Sequence, residues 1–105
     1  MKVLWTAFAE HQLDRIYDYI QLKNPRAAAE IYNDIVDQSV MLANNPQMAA
    51  IEPLLSEFSE GYRSLSVRKH YKVVYYIDSE TTVYVVAVFD CRQKSETLKY
   101  MIRNS

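Results

Sequence analysis

The chain changes its hydrophobic period twice. Residues 2–6 alternate as a short strand does, and Thr6 then stands where a helix N-cap belongs, its hydroxyl placed to accept an N–H of the first turn. Beyond it Leu13, Ile16, Tyr17 and Ile20 recur at three- and four-residue intervals, with Asp14, Arg15 and Asp18 on the other side. This helix is predicted to stop near Lys23–Asn24, because a residue preceding proline is pushed out of the α region. Pro25 suits the first turn of a second helix. That helix carries Ala28, Ile31, Tyr32, Ile35, Ser39 and Leu42 on one face and ends before Asn44–Asn45–Pro46. So short a joint predicts an antiparallel helical hairpin.

The period falls to two in the second half. Residues 46–60 hold two prolines and no clear period, and read as a connecting loop with one irregular turn from Glu52 to Phe58. Past Gly61, the stretches Tyr62–Arg68, Tyr71–Asp78 and Thr82–Phe89 are dense in Val, Tyr and Ile. They are separated by Lys69–His70 and Ser79–Glu80–Thr81, as in an antiparallel meander. The last is apolar from Val83 to Phe89 and should be central, buried on both faces. Ser95–Ile102 is compatible with a short C-terminal helix capped by Ser95.

The predicted fold is therefore α+β, in the order β-α-α-β-β-β: an N-terminal strand, a helical hairpin and a three-stranded antiparallel meander, with the short tail helix after it. The hairpin should cover one face of a small antiparallel sheet. The other face should be partly open, since Lys72 and Tyr76 alternate onto it. No linker or repeat divides the chain, and 105 residues suit one domain spanning 1–105.

Composition narrows the setting. The one cysteine, Cys91, has no internal partner and is read as a small packed residue; with an apolar start too short for a secretory signal, this points to the cytoplasm. No apolar run approaches the length of a membrane span. The net charge of −1 hides an asymmetry: residues 1–60 hold four basic against nine acidic side chains, and residues 61–105 hold eight against four. An anion or an acidic protein segment would be drawn to the second half.

Glycine-rich phosphate loops, zinc-like Cys/His spacings and a nucleophile with an evident base are all missing, so no cofactor or metal chemistry is expected. A basic and aromatic set remains on the strands and tail: Arg63, Arg68, Lys69, His70, Lys72, Arg92, Lys94 and Tyr100. Each has a plainer role open to it. Arg63 can pair with Glu60 or Asp90, Lys72 can be structural, and His70 can be an exposed turn residue. Tyr75, Tyr76 and Tyr84 fit sheet packing better than base stacking.

Three segments carry a resemblance: Gly61-Tyr62-Arg63-Ser64-Leu65, His70-Tyr71-Lys72-Val73-Val74-Tyr75-Tyr76-Ile77, and Asp90-Cys91-Arg92-Gln93-Lys94-Ser95-Glu96. Together they resemble the C-terminal half of the RelE/ParE toxin superfamily, with Ser95 where proline is usual. Ala9, Leu13, Ile16 and Tyr19–Ile20, then Pro25 and Ala28, resemble its two opening helices.

The resemblance implies the toxin of a type II toxin–antitoxin pair. Its partner would be a small antitoxin laying an amphipathic segment over the helical hairpin, in the region of Ile16, Ile20, Ile31 and Ile35, and adding a strand to a sheet edge. Operator DNA would be reached only through the antitoxin. ParE-like relatives act on DNA gyrase by binding; RelE-like relatives cleave mRNA in the translating ribosome.

For cleavage, the resemblance carries the basic set onto Arg63, Lys72 and Arg92, with Tyr100 as the tyrosine. Two departures weigh against it. Leu65 stands where a second basic residue is usual, and Leu98 stands at the tyrosine position, two residues before Tyr100. A pI of about 6.1 also suits rRNA poorly, because ribosome binding relies on phosphate neutralisation. The gyrase-directed reading therefore leads. A degenerate toxin serving only as an antitoxin-binding module is a third reading.

Overall fold

The computed structural model describes residues 1–104 and follows the predicted order. Strand β1 (Lys2–Trp5) leads into α1 (Ala7–Gln21) and α2 (Pro25–Val40). Strands β2 (Arg63–Val67), β3 (Tyr71–Ile77) and β4 (Thr82–Asp90) follow, then α3 (Ser95–Arg103). Both hairpin helices start as the sequence requires. Thr6 Oγ1 accepts the Ala9 N–H at 3.1 Å, and Asn24 Oδ1 accepts that of Ala27 at 3.1 Å, with Pro25 at the first position of α2. Short 3-10 turns at Met41–Ala43 and Pro53–Leu55 punctuate the connection to β2, the second inside the irregular turn expected there.

The sheet order is β1-β4-β3-β2. The meander β2-β3-β4 is antiparallel as predicted, but the sheet is mixed, not antiparallel throughout, because β1 runs parallel to β4 with Val3 opposite Val83 and Trp5 opposite Val85. The helical hairpin intervenes between β1 and the meander and returns the chain in the same sense. Strand β4 is central and buried on both faces, again as its apolar run implied.

Its side chains divide between two cores through one irregularity. Tyr75 lies opposite Val85 and Val74 opposite Ala87, which leaves Val86 as an extra residue on β4. Before it, Val83 and Val85 face the hairpin; after it Val88 does, while Ala87 and Phe89 turn to the far face. The near core joins these valines to Leu13, Ile35, Leu42, Val73 and Tyr75.

The far face is less open than the alternation implied. Leu98 and Ile102 of α3, with Leu55 of the second 3-10 turn, cover Val74, Ala87 and Phe89. The tail helix is present, but Lys94 and not Ser95 occupies its N-cap, with no side-chain capping bond. Ser95 is already the first helical residue, so its hydroxyl lies past the capping position. Cys91 is exposed rather than packed: β4 ends before it, and its N–H donates to the His70 carbonyl at 2.7 Å.

Among the described residues no helix is long and apolar enough to cross a membrane.

Candidate functional site

The residues of the basic set are held on different parts of the sheet. Arg63 opens β2 opposite Tyr75, on the hairpin side, and its Nη1 donates to the Ala49 carbonyl at 2.6 Å. Lys72 lies on the far face, where its ammonium donates to Glu52. Arg92 follows β4 and folds back over Tyr71, its guanidinium carbon 5.6 Å from the ring centroid and its Nη2 donating to Tyr71 Oη at 3.0 Å. Tyr71 and Tyr75 are four residues apart on one strand, about 13 Å, so Arg63 and Arg92 sit at separate points of the sheet. Tyr100 is further removed. Leu98 and Ile102 take the buried side of α3, and Tyr100, two residues from each, points to water with two thirds of its surface exposed. Arg63, Lys72, Arg92 and Tyr100 are not brought together.

Two of these cations are already spoken for by carboxylates. Glu52 is almost wholly buried and accepts from three groups: Lys72, the Leu54 N–H at 2.9 Å and Ser64 Oγ at 2.9 Å. Burial pushes its carboxyl up, but these donors together outweigh burial and hold it below the ordinary glutamate range. Asp90 grips Arg92 through Nε and Nη2, both at 2.9 Å, and accepts its backbone N–H at 3.0 Å. There too burial raises the carboxyl and the Arg92 bonds outweigh it, leaving it lowered. The guanidinium is correspondingly pushed up, chiefly by Asp90.

Arg92 borders a groove of about 700 Å³ between α1, the end of β4 and α3. Arg15, Ile16, Tyr19 and Ile20 form its α1 wall, Tyr71 and Val88 its floor, and Met101 the α3 side. Its depth comes from the mismatch between two strands. Strand β1 ends at Trp5 opposite Val85, while β4 runs on to Asp90, so the last residues of β4 have no strand on their outer side. Gln12 fills part of that place. Its Oε1 accepts the Val88 N–H at 2.9 Å and its Nε2 donates to Met101 Sδ at 3.0 Å. Sequence reasoning passed over both Gln12 and Glu52. The signal for Gln12 was a polar residue on the apolar stripe, three residues after Ala9 and four before Ile16; for Glu52 it was a lone carboxylate between Ile51 and Leu54–Leu55.

Of the hydrophobic residues expected to meet a partner, Ile16 and Ile20 are half-buried on the groove wall and Ile31 is half-buried on α2. Ile35 is fully buried in the near core and has no surface to offer. A second, smaller cleft of about 300 Å³ lies on the opposite side of α1, bounded by Trp5, Leu13, Tyr32 and Val36 with Glu10 and Asp14 at its rim. Among the described residues no three His, Cys, Asp or Glu side chains gather as a metal-holding group.

Residues 3–94 match the family described as the ParE toxin of the type II toxin–antitoxin system parDE. The chain belongs to the ParE toxin family. Among solved structures, a chain described as the chromosomal ParDE TA system from P. aeruginosa has the same fold, with a TM-score of 0.70 over 86% of this chain and 95% of that one at 24% sequence identity. No curated protein sequence matches. For a ParE-family chain the scattering of Arg63, Lys72, Arg92 and Tyr100 is informative, because general acid–base cleavage of RNA needs its groups within hydrogen-bond reach of one phosphate.

Proposed function

We propose that this ParE-family toxin arrests growth in the bacterial cytoplasm by binding DNA gyrase, and that a small antitoxin neutralises it by laying an amphipathic segment over the helical hairpin. The observation that carries the first half is the dispersal of the basic set. Arg63 and Lys72 are bonded to Ala49 and Glu52, and Arg92 is chelated by Asp90. A protein that acts as a binding poison has no need of a convergent catalytic site, and that arrangement fits it better than it fits a nuclease.

The second half is supported by α1, which has a concavity on each side. Ile16, Tyr19 and Ile20 line the groove, next to the stretch of β4 that lacks an outer strand. An extended segment adding to such an edge takes its affinity from main-chain hydrogen bonds, and its selectivity from pockets beside them.

The test is biochemical. Purified chain is added to DNA gyrase and relaxed plasmid, and in parallel to translating ribosomes with a defined mRNA. Supercoiling should fall with added chain while the mRNA stays whole. Cut mRNA with unaffected supercoiling would replace this reading with ribosome-dependent cleavage.

A further inference from the structure

Strand β1 is an edge of the sheet, with β4 on one side and no strand on the other among the described residues. The N–H groups of Lys2 and Thr6 donate to the carbonyls of Thr81, just before β4, and Val85 at 2.7 and 3.0 Å. Main-chain groups alternate along a strand, so the N–H and C=O of Val3 and Trp5 point away from β4, to the open side. From Val3 to Trp5 there is no charge, proline or bulge of the kind that blunts an edge.

The side chain between them is exposed as well. Val3 and Trp5 pack against the near core, which puts Leu4 on the far face, where it is 41% exposed. Leu4 ends a row that crosses all four strands. Phe58 packs edge-on to Tyr62 at the head of β2, Tyr62 packs edge-on to Tyr76 of β3, and Tyr76 stacks with Tyr84 of β4. The successive ring centroids are 6.0, 5.6 and 5.8 Å apart. Tyr84 lies in register with Leu4. At one end of the row Phe58 covers Tyr62; at the other Leu4 faces water.

We propose that β1 is a self-association edge, at which two copies of this chain pair antiparallel about a two-fold axis through Leu4. The strand is self-complementary in that register. Val3 lies opposite Trp5 of the second copy, and Lys2 opposite its Thr6. Val3 and Trp5 are the outward-pointing residues, so each such pair exchanges both main-chain hydrogen bonds, giving about four in all. The same register sets Leu4 against Leu4 of the second copy at a closely spaced, non-hydrogen-bonded position. Backbone phase and exposed side chain thus call for the same partner. No like charges face each other along the strand, and a net charge of −1 sets up little general repulsion. The two sheets become one, and their aromatic rows join through the leucines. One short strand per copy is a small contact, below about 1,200 Å² in total, so the association is weak. It depends neither on the toxin's target nor on its antitoxin.

Sedimentation velocity of the full chain from about 10 µM to about 1 mM tests this, with Leu4→Lys, Leu4→Glu and Leu22→Lys alongside. The parent should pass from monomer towards dimer over that range. Leu4→Lys and Leu4→Glu should each weaken association at least about tenfold, because like charges meet on the axis, whereas a mixture of the two should pair again. Leu22→Lys places a charge at the turn of the helical hairpin, where Leu22 is 82% exposed, and should associate as the parent does. Amide exchange on the parent needs no variant. Val3 and Trp5 should slow as concentration rises, while Lys2 and Thr6, already bonded towards β4, should not change. A parent that stays monomeric to about 1 mM, a dimer indifferent to Leu4→Lys, or a mixture that fails to pair overturns the proposal.

Discussion

The Lys72 ammonium is bonded to the Glu52 carboxylate on the far face of the sheet, and Glu52 has only 1% of its side chain in contact with water. One residue is in the middle strand and the other in the loop before β2, so the pair ties that loop to the sheet it crosses. Glu52 also accepts from Ser64 of β2 and from the N–H of Leu54, the middle residue of the 3-10 turn under α3. Removing Lys72 alone leaves a buried carboxylate short of its cation. Lys72→Met should therefore cost roughly 2–4 kcal/mol, below the upper end for a dry pair because Lys72 keeps a quarter of its side chain in water. Lys72→Met combined with Glu52→Leu should lose less than Lys72→Met by itself. Urea unfolding of the parent and the two variants checks the order.

The same pair predicts the acid limb of the stability curve. Glu52 and Asp90 are both lowered in the folded chain, so folding binds fewer protons than the unfolded state at these sites. Their contribution is present above the unfolded values, about 4.3 for Glu and 3.9 for Asp, and disappears as pH falls through the folded ones. The urea midpoint should hold steady from about pH 7 to 5 and drop below about pH 4. A midpoint rising on acidification would contradict the assignment.

Gln12 substitutes for a strand that is not there. Gln12→Leu keeps the apolar contacts of α1 but leaves the Val88 N–H without its 2.9 Å acceptor. The expected cost is about 1–3 kcal/mol, the range for a buried donor left unpaired. Hydrogen exchange at the Val88 amide, slow in the parent, should quicken in the variant.

The turn between β2 and β3 holds two non-glycine residues in the left-handed region, Arg68 at φ 52° and Lys69 at φ 66°. Lys69 is exposed and forms no ion pair among the described residues, so Lys69→Gly removes the strain and should stabilise the chain by up to about 1 kcal/mol in thermal unfolding. Arg68 is different, because its guanidinium bridges to Asp34 and Glu30 of α2. Arg68→Gly should gain less than Lys69→Gly, since it breaks that tie between sheet and hairpin.

How much of this was legible beforehand differs by element. The helices and the meander follow from periods of 3.6 and 2 that the structure honours almost residue for residue, from Ala9 to Leu42 and from Leu65 to Phe89. The parallel pairing of β1 was hidden, because four alternating residues do not say which strand they join. The extra residue at Val86 was hidden too, since β4 is apolar throughout Val83–Phe89 and an unbroken apolar run carries no phase. The candidate cations could be named from the sequence, yet their separation could not. It depends on partners contributed by distant segments: Ala49 for Arg63, Glu52 for Lys72 and Tyr71 for Arg92. Tyr100 was the exception. Its distance from Leu98 already placed it on the opposite side of a helix.

Poisoning of gyrase by binding, as proposed for this ParE-family chain, is open to a direct test in cells. The chain is induced in a bacterial host without an antitoxin, as parent and as Arg63→Ala and Arg92→Ala, while DNA damage response, plasmid supercoiling and mRNA integrity are followed together. All three proteins, provided they fold, should stop growth with disturbed supercoiling and intact mRNA. Growth arrest that vanishes with Arg63→Ala or Arg92→Ala and is accompanied by cut mRNA in the parent would contradict the account.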